Sequence, residues 1–217
     1  MFKKLAHAYK KRGDAQTDPS IGALDHFHAL CNYMLSFYFA DKSNSDVPSK
    51  QSIAAWKSLF PFAEVLLRKL QERKLDVLWG LCTRLLALIR FAVHGIMVDA
   101  TIPLVKKKEG IPAEMVESLV LEHAKAKRLL KDSEQHASFA SWARLFPGSF
   151  KRTVLGGDFL AGVVLGGEAG VSVGPGYPLS PLSELNLAAL AVKCILAEWV
   201  SSMGVDYAPI TSTDDFM

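Results

Sequence analysis

Cysteine is scarce in these 217 residues: Cys31, Cys82 and Cys194 stand far apart, each inside an apolar run. An odd count without paired spacing argues against a disulfide framework and against a zinc ligand set, so the three read as reduced core thiols. Catalytic frames are missing too. There is no His-Glu-x-x-His, no Cys-x-x-Cys, no carboxylate-rich calcium loop and no Gly-x-Ser-x-Gly elbow. The six histidines are His7, His26, His28, His94, His123 and His136. His26 and His28 are two apart and point in different directions on a helix, so they do not clamp one metal. Gly156-Gly157, Gly166-Gly167 and Gly174-Pro175-Gly176 lie in an acidic stretch, and after Arg152 the only lysine is Lys193. Such a loop repels phosphate rather than cradling it. The expectation is a non-enzyme with no cofactor, no metal and no small-molecule substrate.

Long uncharged apolar runs are also lacking. The most apolar stretch, Leu75 to Val105, carries Asp76, Arg84, Arg90, His94 and Asp99. Each charge at mid-membrane costs at least ~2.5 kcal/mol, so a buried helix is expected there and no membrane partner. The basic N-terminal stretch, with Lys3, Lys4, Lys10, Lys11 and Arg12, has no apolar run behind it and does not read as a signal peptide.

What is present is an apolar chain, 50% hydrophobic and 22% charged. That lean implies either a large core or a surface covered by a partner or a second copy. Residues 1–154 hold 24 Lys and Arg against 15 Asp and Glu, whereas residues 155–217 hold one Lys against seven acids. The basic part suits an acidic partner, nucleic acid, or the chain's own acidic tail. Lys106, Lys107, Lys108, Lys125 and Arg128 are the candidate nucleic-acid contacts, and they act together only if they converge in space, giving weak, non-specific binding.

Apolar residues recur every three or four positions nearly throughout, so the fold class is all-α: stacked helical hairpins, about seven to eight helices, in a single interaction domain. A helix from Phe2 to Ala15 precedes an Asp18 cap and Pro19, which open a second helix carrying Leu24, Phe27, Met34 and Tyr38. After a polar loop at 42–49, Pro61 must kink a helix begun near Lys50 or start a new one. The Leu75–Val105 helix is apolar nearly all round and therefore central. Its one polar strip, Asp76, Gly80, Thr83, Ala87, Arg90 and His94, reads as a packing seam. Three lysines and Gly110 end it. Helices are expected from Pro112 through Leu130, from Ser133 to Phe146, and from Pro181 to Met203, closed by Gly204. This divides the chain into a helical core (1–154), a Gly-rich loop (155–180), a C-terminal helix (181–204) and a frayed acidic tail (205–217). The frame Ser-x-Ala-x-Trp-x-x-Leu-Phe-Pro occurs at Ser52–Pro61 and again at Ser138–Pro147, an echo consistent with stacked hairpins.

The opening stretch Tyr9-Lys-Lys-Arg-Gly-Asp14-Ala15-Gln-Thr-Asp18, followed by Ala23, Phe27, Ala29 and Ser36-Phe37, resembles the start of the C-terminal homology domain of the AF4/FMR2 family. The helix from Val77 through Cys82 and Arg84 to Arg90-Phe91 is similar to that family's cysteine- and arginine-bearing core helix. The resemblance covers residues 1–108; it departs in Gly13, where alanine is usual, and in a Gly/Val-rich insert. It implies a tetratricopeptide-like helical domain that forms homo- or heterodimers within a nuclear scaffold of transcription elongation. The candidate interface is the apolar face of the last helix: Leu185, Ala189, Val192, Leu196 and Trp199. The alternative is a monomeric peptide-binding module with a groove lined by Trp56, Trp79 or Trp142.

Overall fold

The computed structural model describes residues 1–43, 49–155 and 177–210. Among these residues all regular structure is helical: α1 (Phe2–Ala15), α2 (Pro19–Ser43), α3 (Ser49–Lys57), α4 (Leu59–Glu72), α5 (Asp76–Lys106), α6 (Ala113–Ala137), α7 (Phe139–Leu145), α8 (Pro147–Phe150) with a π-helical turn at Lys151–Leu155, and α9 (Leu185–Met203). The chain is an all-α protein. The Gly-rich stretch lies almost wholly outside the described residues, as does the tail beyond Ile210.

Local chemistry explains most boundaries. The Asp18 carboxylate accepts from the backbone N–H groups of Ser20 (2.7 Å) and Ile21 (3.3 Å), which caps α2 with Pro19 in its first position. Pro61 falls in the first turn of α4, where no helical donor is needed, so the chain breaks at Ser58 and starts a new helix. The echo shares the helix break ahead of its proline, with a cap in addition. Ser138 caps α7 by accepting from Ser141 N–H at 3.1 Å, the helix breaks at Phe146, and Pro147 opens α8. Trp56 and Trp142, equivalent in the echo, are both buried.

Two expected boundaries differ. A single helix, α6, runs through Ser133, because that hydroxyl is satisfied inside the helix by the Leu130 carbonyl at 2.7 Å. The last helix starts at Leu185 instead of Pro181, the intervening residues forming turns closed by Ser183 N–H to Ser180 O at 3.0 Å.

α1 and α2 form an antiparallel hairpin that crosses at glycine: a Cβ on Gly13 would stand 3.0 Å from the Gly22 carbonyl oxygen, and one on Gly22 equally close to that of Gly13. α2 packs on α4 and α9, and α5 on α3, α4, α6 and α9. The core gathers there, around Phe27, Leu30, Met34, Leu66, Leu78, Leu85, Ile89, Val192 and Ile195. α5 and α9 are each long and apolar enough to cross a membrane by length and composition, yet 50% and 56% of those windows are buried inside the fold. Burial in the core accounts for about half of each apolar window.

Candidate interaction surface

The face of α9 expected to meet a partner is occupied within the fold. Leu185, Ala189, Val192 and Leu196 are buried against α2 and α5, and Trp199 is half-buried at the core's edge. The apolar stripe is real, but it belongs to this domain's own core.

An uncovered apolar surface exists elsewhere. Beyond Arg90 the α5–α6 hairpin continues as an arm. In α5, only Val93, Met97 and Thr101 are buried after Arg90, and α6 buries nothing before Glu122. On one flank of this arm the rings of His94 and His123 meet, with centroids 4.9 Å apart, and Phe91 packs edge-on to His123 at 5.8 Å. Val98, Ile102 and Val105 follow His94 at steps of four, four and three, so they continue its face along α5. Val120 and Val116 precede His123 by three and seven and continue its face along α6. In an antiparallel pair these two faces lie on one side. All five aliphatic residues are exposed, Val120 at 62% and Val105 at 59%. Burial, then the neighbouring His123, lowers the pKa of His94, so it is neutral at neutral pH.

The seam at the arm's base is closed by charge. The buried Arg90 guanidinium donates to Glu122 at 2.7 Å, lies 3.9 Å over the Phe60 ring and reaches Glu64 at 3.5 Å, while Lys57 approaches Glu122 at 3.6 Å. The polar strip of α5 is indeed a seam: a Cβ on Gly80 would stand 2.6 Å from His136 Cβ, so α6 approaches there as closely as backbone allows.

Comparison with protein families, curated proteins and solved structures gives no match. The surface is therefore weighed on its own chemistry.

The basic candidates do not form one patch. Lys106, Lys107 and Lys108 sit at the arm's tip, whereas Lys125 lies twelve residues into α6, about 18 Å away along the helix axis. Arg128 is exposed beside Asp132 at 3.9 Å. Of the tryptophans, Trp142 is buried, and Trp79 packs edge-on to His136 at 5.8 Å. Trp56 does border a cavity of about 300 Å³, with Tyr38, Phe91, Ile96, Glu184 and Leu185. Its indole N–H donates to Asp41 at 2.7 Å, which fixes the ring in the wall.

A second cavity, about 310 Å³, joins α1, α2 and α4. His26 bridges Asp14 (2.9 Å) and Lys69 (3.2 Å) across it, and Lys10 holds Asp14 at 2.6 Å. Burial lowers the His26 pKa, against the hydrogen bond its ring makes to the Asp14 carboxylate. The ring is thus a neutral relay pinning three helices together. Nothing in the local sequence marked this trio, because its members come from three helices.

Proposed function

We propose that this chain is a non-catalytic protein–protein interaction domain that self-associates through the exposed flank of the α5–α6 arm. The observation that carries this is the run of Val98, Ile102, Val105, Val116 and Val120, exposed together on one side of a hairpin. The reading extends to the resemblance of residues 1–108: a tetratricopeptide-like dimerisation domain of a nuclear transcription elongation scaffold.

Size sets the strength expected. Sixteen residues of α5 beyond Arg90 span about 24 Å, and two helices side by side are roughly 20 Å wide, so two copies bury on the order of 1,000 Å². That is the lower end for specific interfaces and fits a micromolar dimer rather than an obligate one.

The test is light scattering over a dilution series. The wild-type mass should pass from dimer to monomer across the micromolar range. Ile102→Asp combined with Val120→Asp should weaken association at least tenfold and leave the urea midpoint nearly unchanged, since both side chains point to solvent. A monomer up to several hundred micromolar overturns the proposal. It would favour the second reading, a peptide-binding module, which the Trp56-bordered cavity supports.

A further inference from the structure

Residues 205–210, expected to fray, are instead held against the fold. Gly204 ends α9 in the left-handed conformation (φ 62°), with open space where a Cβ would stand, and the chain turns back across the α1–α2 hairpin. Tyr207 donates its hydroxyl proton to Asp25 Oδ1 at 2.8 Å and stacks on His28, centroids 5.6 Å apart and planes 10° apart. Arg12 donates to the Ala208 carbonyl at 2.9 Å and stands between the Tyr9 and Tyr207 rings at 5.4 and 5.3 Å. The Tyr9 hydroxyl accepts from the Ile210 N–H at 2.9 Å and donates to the Ile210 carbonyl at 3.4 Å.

Two features set this apart from a strap that merely covers core. The contacts divide as peptide recognition divides: main chain is read at 208 and 210, and one side chain, Tyr207, is read by ring and hydroxyl. The groove's walls are also tied to each other by contacts that do not involve the occupant. Arg12 grips both oxygens of the buried Asp25 at 2.9 and 2.6 Å, and Tyr9 stacks on His28 at 4.9 Å, all within α1 and α2. Lys193, from α9, holds Asn32 one turn further along at 3.2 Å. Pro209 keeps the occupant extended and offers no N–H, and none is used at that position.

We propose that the α1–α2 groove is a docking site for an extended segment of a partner protein carrying tyrosine, and that residues 205–210 are its resident, displaceable occupant. The tether keeps that occupant at an effective concentration on the order of millimolar, so a partner segment engages only when the resident is weakened or outcompeted.

The probe is a fluorescein-labelled peptide, Gly-Val-Asp-Tyr-Ala-Pro-Ile, titrated into the full chain by anisotropy. Wild type should bind it at least tenfold more weakly than Tyr207→Ala, which vacates the groove. Adding Tyr9→Phe to that variant should weaken binding at least fivefold, and a peptide with alanine for tyrosine should not bind. Circular dichroism establishes that Tyr207→Ala is folded; should it not be, Tyr207→Phe, which removes only the bond to Asp25, takes its place. No saturable binding by the folded variant at millimolar peptide, or binding indifferent to Tyr9→Phe, overturns the proposal. Anisotropy with peptide reads this groove alone, and the mass of the chain without peptide reads the arm.

Discussion

His28 shows how one side chain ties stability to pH. Its ring is stacked between Tyr9 and Tyr207, and Nδ1 has no hydrogen-bond partner. Burial, then Lys193 and Arg12, pushes its pKa down to about 3. In the unfolded chain an imidazole titrates near 6.5. Between those values the unfolded state holds the extra proton, so this histidine lowers stability as pH falls, by up to ~1.4 kcal/mol per pH unit, and has no effect above pH 6.5. His28→Phe keeps the stack and removes the titration. Urea midpoints from pH 7.5 to 4.5 should fall more steeply for wild type than for the variant; parallel slopes would mean that the ring is protonated in the fold. In the sequence this histidine was legible only as solvated or core, because its partner Tyr207 comes from the far end of the chain. Arg84 was hidden in the same way. It read as a charge too costly for a membrane, whereas it is buried and donates to the carbonyls of Leu179 (2.8 Å) and Ala137 (3.0 Å), acceptors no local pattern reveals.

At the level of the helix, starts divided. Asp18–Pro19 works as local chemistry predicts, since a cap acts on N–H groups two or three residues away, whereas Ser138, which caps in the same way, lay unread inside an expected helix. Ser133 misled because a hydroxyl that can cap a helix can also bond back into one. α5 ends at Lys106, and the turn is made by Lys108 in the left-handed region (φ 58°), with Glu109 N–H bonding to Leu104 O at 2.9 Å; Gly110, the expected stop, comes too late. Lys74 makes the same turn after α4 (φ 55°). A preference for glycine of about 1 kcal/mol is small enough for packing of the two hairpins to override. Lys108→Gly and Lys74→Gly should therefore each raise stability by roughly 0.5–1 kcal/mol, seen as a higher thermal midpoint. An unchanged or lower midpoint would show that the lysine stems supply packing worth the strain. The α9 stripe marks the limit of periodicity at this scale. Spacing announced an apolar face at Leu185, Ala189, Val192 and Leu196, but a face covered by its own domain and one covered by a partner have the same period.

Across the whole molecule, stability is unevenly distributed, and this bears on the proposed self-association. Leu78 to Arg90 of α5 lies in the core, while the arm beyond it is held by a single seam between two helices. Such a segment opens without global unfolding, because few buried apolar contacts are lost. By hydrogen exchange, amides of residues 100–106 and 116–121 should exchange through openings at least ~2 kcal/mol cheaper than those of residues 82–89, which should report the global free energy. Sequence alone did not reveal this gradient: α5 is apolar nearly all round over its length, and only the packing of α3, α4 and α9 on it decides which half is covered. Association makes the gradient depend on concentration. If the flank with Val98, Ile102, Val105, Val116 and Val120 pairs with a second copy, protection of the outer arm should rise between 5 and 500 micromolar protein (roughly tenfold for a dimer of micromolar affinity), while residues 82–89 stay constant. Ile102→Asp with Val120→Asp should abolish that rise and leave the low-concentration pattern intact. Outer-arm protection that does not move with concentration would instead mean that the flank is open in the isolated chain, and that whatever covers it is not another copy.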